Sequence, residues 1–186
     1  MEWDLLGKAF DFYAKNFQYM DVPWVVRRDT ALETMPENAS TTLWTCIPGV
    51  LVGSGEQGFL EKLPLDGRFY TITPCFRDEA VIDRYHQHYF MKLELFSSNT
   101  DQEEFDWMVF EAAQFMTTLV ESVGSKPVLH KRCTGPETCD LEIGGVEVGS
   151  YGIRQTSHQN YLYGTGLALP RFTEAVKDAE VKREGS

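Results

Sequence analysis

The chain has 186 residues, 42% of them hydrophobic and 13% aromatic, which is enough to bury one core and sets the expectation of a single domain over residues 1–186. Its formal charge of −11, from 28 acidic against 17 basic residues, leaves no basic face of the kind autonomous nucleic-acid binders use to displace counterions. No apolar run approaches the length of a membrane span, and Met1-Glu2-Trp3-Asp4 has neither the basic nor the apolar segment of a signal peptide.

Trp3, Leu6, Phe10, Tyr13 and Phe17 recur at three- and four-residue steps and predict an amphipathic helix over residues 3–18. Met20 to Arg27 then reads as a strand, which Pro23 near its start confines to an edge or an interface. Residues 34–41 are a loop. Gly49 to Gly58 is glycine-rich and ends in a short helical run, Phe59 to Leu63, stopped by Pro64. Tyr70 to Phe76 and His88 to Phe96 alternate as the arms of a hairpin, with Arg77 and Glu79, two apart, on one face at its mouth. Thr100 and Glu103 have the spacing of a capping box and open a helix to about Val123, closed by Gly124. Lys126 to Arg132 is a further strand, and Leu141–Ile143 and Val146–Gly149 flank Gly144-Gly145 as a second hairpin. Gly164 to Arg171 reads as a glycine turn running into a last helix. The sum is an α+β domain on an antiparallel sheet. None of the four cysteines stands in CxxC spacing, so a reduced, cytoplasmic protein is expected, although Cys133 and Cys139 are near enough in sequence to pair across a turn.

Three features stand in fixed order. A Pro-bearing strand follows a long helix; next come Phe76-Arg77-Asp78-Glu79, a loop, His86 and Phe90-Met91-Lys92-Leu93-Glu94; last comes Gly164-Thr165-Gly166-Leu167-Ala168 with Arg171. Together they resemble motifs 1, 2 and 3 of the class II aminoacyl-tRNA synthetases. Between the second and the third, Asp140 to Arg154 is similar to the aspartyl, asparaginyl and lysyl branch, where an acid, a Glu seven residues later, glycines and an Arg surround the amino acid and metal. Pro36-Glu37 resembles that branch's Pro-Glu after motif 1, and Ser54 to Gln57 its Ser-and-Gln segment under the amino-acid pocket.

The resemblance implies a class II synthetase-like antiparallel sheet flanked by helices, paired as a homodimer through the first helix and the Pro23 strand. It also implies ATP and Mg²⁺ as cofactors and an amino acid activated as its adenylate. Such a reaction consists mostly of positioning and charge neutralisation, which Arg and Mg²⁺ supply. In the family's pattern Arg77 holds the α-phosphate and the substrate carboxylate, as a bidentate fork can. Glu79 meets the adenine amino group, Phe90 and Arg171 sandwich the ring next to Gly164 and Gly166, and His86 or Arg84 reaches the γ-phosphate. Asp140 and Glu147 carry Mg²⁺, a role hard oxygen ligands suit, while Glu37, Gln57, Gly149, Ser150 and Arg154 surround the amino acid. Other readings stay beside these: Asp140 and Glu147 as solvated hairpin acids, Glu94 as a strand anchor, and His86 with His88 as zinc ligands.

A full synthetase of that branch carries an N-terminal anticodon-binding barrel, and no such domain is expected here. Relatives of the core without it activate an amino acid for another acceptor. One is the ammonia-dependent asparagine synthetase, which has Met-Gly-Ile-Arg where this chain has Tyr151-Gly152-Ile153-Arg154. Arg154 suits a side chain with a planar acceptor, so aspartate leads. Asparagine stays open, because Leu60 stands where the aspartyl enzymes have a second pocket cation. A minimal tRNA-charging enzyme and a non-catalytic paralogue are the alternatives.

Overall fold

The structure is a computed structural model that describes residues 2–35, 43–122, 129–135 and 138–184. Its first elements are α1 (Trp3–Tyr13), β1 (Gln18–Tyr19), β2 (Val25–Val26), α2 (Arg28–Leu32), β3 (Val50–Leu51) and α3 (Gly55–Leu60). A long hairpin follows, β4 (Arg68–Phe76) and β5 (Tyr89–Ser97), then the helix α4 (Gln102–Ser122). The last part is β6 (Leu129–Gly135), β7 (Thr138–Ile143), β8 (Val146–Arg154), β9 (Tyr161–Leu169) and α5 (Arg171–Glu184). Seven strands form one sheet in the order β1-β4-β5-β9-β8-β7-β6, antiparallel throughout except for β1 on β4. The expected antiparallel sheet flanked by helices is thus what the chain forms.

Apolar periodicity decides which face the helices cover. Leu6, Ala9 and Tyr13 of α1 and Met108, Ala112, Phe115 and Met116 of α4 are buried at helical spacing. They pack with Phe172 and Val176 of α5 against Leu93, Leu95, Leu141, Tyr151 and Leu167 of the sheet in one hydrophobic cluster. Among the described residues the opposite face is covered at one end, where α3 and the β2–β3 pair lie. There Phe59 meets Phe96, which stacks on Tyr161 at a ring-centroid distance of 4.9 Å. No helix among the described residues is long and apolar enough to cross a membrane.

Four local expectations are corrected. The strand foreseen over Met20–Arg27 is split: Met20 bonds Tyr70 beside the edge of the large sheet, Val25–Val26 pairs with β3, and Pro23, lacking an N–H, lies between them in neither. The short helix begins at Gly55 rather than Phe59, because the Glu94 carboxylate receives the Glu56 N–H and the Ser54 hydroxyl at its start. The N-cap of α4 is Asp101, whose Oδ1 accepts the Glu104 N–H at 2.7 Å, while the Glu104 carboxylate turns to Arg68. Thr100 therefore caps nothing here, one residue too early for the helix.

The fourth correction concerns Gly164 and Gly166, which lie inside β9 and not in a turn. A Cβ on Gly164 would stand 2.7 Å from the Tyr151 ring, and one on Gly166 would stand 2.4 Å from the Leu93 side chain and 2.9 Å from Tyr13. Their bareness lets the helical layer close on the strand, and the Tyr13 hydroxyl donates to the Gly166 carbonyl at 3.0 Å. The Gly144-Gly145 turn is as read, with φ of +60° and +83° in the region that favours glycine.

Candidate active site

The sheet face opposite α1, α4 and α5 carries a cavity of about 590 Å³. β5 contributes Phe90 and Lys92, β9 Tyr163 and Thr165, and β8 Ser150 and Arg154; the start of α3 closes the floor and the β4–β5 loop the rim. The hairpin arms stay paired past the strand ends, since the Arg77 N–H donates to the His88 carbonyl at 2.8 Å. That pairing carries Arg77 and Glu79 onto the cavity wall together, as their spacing anticipated.

At the rim, Arg77 is fixed from two sides. Its Nε donates to the Gly53 carbonyl at 2.9 Å, and its guanidinium carbon lies 5.0 Å from the centre of the Phe90 ring. Arg171, at the first turn of α5, also lines the cavity, with Nε 3.5 Å from the Tyr85 carbonyl and Nη1 3.8 Å from Glu147. His86 lines it as well and sets its Nδ1 3.0 Å from Asp83. Asp83 also accepts the N–H groups of Tyr85 and His86, and these bonds hold its carboxyl below the ordinary range against the opposing pull of desolvation. Arg84 is elsewhere: it pairs with Asp178 of α5, which also receives the Tyr85 hydroxyl, and it is not part of the cavity wall.

The floor holds two ion pairs. Arg154 donates to Glu56 through Nε at 3.1 Å and Nη2 at 3.3 Å, and the buried Tyr161 hydroxyl donates to the same carboxylate at 2.8 Å. Burial pushes the Glu56 carboxyl above its ordinary range, with the Arg154 guanidinium pulling it back; the same pairing raises Arg154. Lys92 sets its Nζ 2.5 Å from Glu94, whose carboxylate already receives Ser54 and the Glu56 N–H. Glu94 therefore ties β5 to α3, as the strand-anchor reading has it. The Arg154 guanidinium lies 4.7 Å from the Tyr163 ring, itself laid over Gly152.

Several expected ligands are differently employed. Gln57 is buried with its amide fully used: Nε2 donates to the Ala31 carbonyl at 3.0 Å and to Thr34 at 3.1 Å, and Oε1 accepts the Gly53 N–H at 2.8 Å. It clamps α2 to α3, and it lines the cavity together with its neighbour Glu56. Gly149 and Ser150 line the cavity. Gly164 and Gly166 do not, since their open sides face the helices. Glu37 lies outside the described residues.

Of the two expected metal ligands only Glu147 is on the wall; Asp140 is held by Arg132 at 3.3 Å, which also pairs with Glu142 at 2.8 Å. No three His, Cys, Asp or Glu side chains converge among the described residues. Mg²⁺ asks for less than a cage, since one or two carboxylates with nucleotide phosphates and water complete its shell, and Glu147 fits that demand. His88 faces Trp44, at a ring-centroid distance of 6.0 Å, and not His86's side of the loop.

Glu56, Lys92, Tyr161 and Tyr163 are what the sequence reading missed. The signal for Glu56 was present: an acid in a glycine-rich stretch, one residue from the start of a buried helix, has to meet a cation.

A sheet of this order with one parallel edge strand and three helices behind it is a fold the chain shares with solved aminoacyl-tRNA synthetases. No family model and no curated protein sequence matches the chain. Solved structures do. A pyrrolysyl-tRNA synthetase of Desulfitobacterium hafniense aligns with 99% of this chain at a TM-score of 0.66 and 17% identity, the match covering 69% of that protein. A second structure of that enzyme gives 0.65 and 19%, covering 99% of this chain and 70% of that one. The cytoplasmic serine-tRNA ligase of Naegleria fowleri, in complex with AMP, aligns with 92% of the chain at 0.68 and 18%, and the match spans 46% of the ligase.

Proposed function

We propose that the protein activates an amino acid with ATP, forming an aminoacyl adenylate and releasing pyrophosphate. The observation that carries this reading is that Arg77, Glu79, Phe90 and Arg171 line one cavity together with the polar floor residues Glu56, Lys92 and Arg154. In the reaction, a carboxylate oxygen of the amino acid bonds to the α-phosphorus while the bond from that phosphorus to the bridging oxygen breaks. Arg77 bridges the incoming carboxylate and the α-phosphate, and the Gly53 carbonyl and the Phe90 face keep its fork from swinging. Arg171 and Phe90 hold the base between a cation plane and a π-face. Mg²⁺ entering with the nucleotide would be held by Glu147 and would neutralise phosphate charge.

The floor favours an uncharged amide side chain over a carboxylate. Arg154 alone would draw an acid, but Glu56 already balances it bidentately, and Lys92 is balanced by Glu94. A side-chain amide offers an oxygen to Arg154 and an N–H to Glu56 together. Asparagine thus displaces aspartate from the lead. The net charge of −11 favours ammonia, a protein or a small molecule over tRNA as the acceptor. Exposed Trp3, Phe10, Tyr19 and Trp24, on α1 and the chain beyond it, are where a second copy would dock.

The test is amino-acid-dependent ATP–pyrophosphate exchange across the standard amino acids with Mg²⁺. Exchange with one of them establishes activation and names the substrate; a protein that binds ATP and exchanges with none is a paralogue without the reaction.

A further inference from the structure

At the β6 end of the sheet, beyond the cavity-lining strand β8, two thiols stand together. Cys133 on β6 and Cys139 on β7 are directly opposed in the antiparallel register, and their sulfurs are 2.8 Å apart. Opposed residues of an antiparallel pair have Cα atoms about 4.5 or 5.5 Å apart, and both values lie inside the roughly 4.4–6.8 Å a disulfide spans. Closing the bond needs no backbone movement. Cys133 is exposed and Cys139 is buried at 1%. The other two cysteines lack such a partner position: Cys75 is fully buried in β4, and Cys46 lies beside β3.

We propose that Cys133 and Cys139 are a redox-active dithiol that closes to a disulfide by exchange with a low-molecular-weight disulfide. The Cys133 thiolate attacks one sulfur of the oxidant and expels the first thiolate, leaving a mixed disulfide at the surface. Cys139 then gives up its proton and attacks the Cys133 sulfur, expelling the second thiolate. Two protein thiols lose two electrons and two protons, and the oxidant is reduced to two thiols. The bond staples β6, the last strand of the sheet, to β7 just where their register slips between Cys133 and Gly135. It also fixes the neighbouring Arg132, which holds Asp140 and Glu142 of β7.

The whole protein is incubated with oxidised glutathione, its remaining thiols are alkylated, and the peptides are mapped by mass spectrometry. The expected product is an internal Cys133–Cys139 disulfide that dithiothreitol reopens, with Cys46 and Cys75 alkylated or unreacted. Cys139→Ser should stop at one glutathione on Cys133. Cys133→Ser, a change at an exposed site that leaves folding intact, should take up no glutathione on Cys139 in the same time. Slowed amide exchange across β6 in the oxidised form supports the staple. Persistence of the glutathione adduct on Cys133 in the unsubstituted protein overturns the proposal, as does free alkylation of both thiols after oxidation. Equally fast uptake at Cys139 in Cys133→Ser overturns the order of attack.

Discussion

Glu56→Gln separates a charge-balanced floor from a cationic one. If Glu56 stands guard against acids, a substrate carboxylate docked on the outer edge of Arg154 would lie roughly 4 Å from it. At an effective dielectric of about 20 that repulsion is about 4 kcal/mol. Arg154 offsets part of it and the open cavity screens more, so about 2 kcal/mol is the working figure, or roughly 30-fold in selectivity. The amide introduced by Glu56→Gln is a neutral isostere that still accepts from the Tyr161 hydroxyl, and the fold should lose only about 1–3 kcal/mol. Pyrophosphate exchange with asparagine and with aspartate, at matched ATP, reads the effect: the ratio of the two kcat/KM values should move about 30-fold toward aspartate. An unmoved ratio in a variant that still exchanges refutes the reasoning, and so does an unsubstituted protein that already prefers aspartate. In that case Arg154 leaves Glu56 on binding, and the bidentate pair describes only the ligand-free pocket.

Arg77→Ala should lower pyrophosphate exchange by about 10²–10³-fold, the usual loss of one charge-stabilising group, with a melting midpoint close to that of the parent; near-normal exchange removes Arg77 from the reaction. Gly166→Ala should destabilise by about 1–3 kcal/mol in denaturant titration, because its methyl group meets Leu93 and Tyr13 in a packed layer. A neutral result would show that α1 can retreat from β9. Asp101→Ala tests the α4 cap through pH. The Glu104 N–H and the Asn99 amide hold the Asp101 carboxyl below its ordinary range, so its contribution is present above that range and is lost as pH falls through the lowered value. The variant should therefore melt lower than the parent at neutral pH, and the gap should close on acidification; a gap constant with pH assigns the loss to something other than the carboxylate.

What was legible in the sequence follows from what is local. Strand alternation in Tyr70–Phe76 and His88–Phe96 and the apolar stripe of α4 each depend on the residue's own segment, and those elements formed within two residues of where they were read. The two-residue spacing put Arg77 and Glu79 on one face, Phe90 and Arg171 came from the resemblance to motifs 2 and 3, and all four line one cavity. Apart from the α4 cap, missed by one residue, these misreadings depended on a partner distant in the chain. Gly164 and Gly166 look like turn residues until Tyr13, Leu93 and Tyr151 are brought against them, and then their bareness is a packing requirement of a strand. The start of α3 is fixed by Glu94, 38 residues on from Glu56, so no pattern inside Gly49–Leu63 could mark it. Gln57 and Glu56 differ by about 100° around a helix whose orientation only that long-range cap decides. Both line the cavity, and of the two it is Glu56 that meets the Arg154 guanidinium. The carboxylate that orients α3 thus decides which side chain meets Arg154, although Glu94 itself is not on the cavity wall.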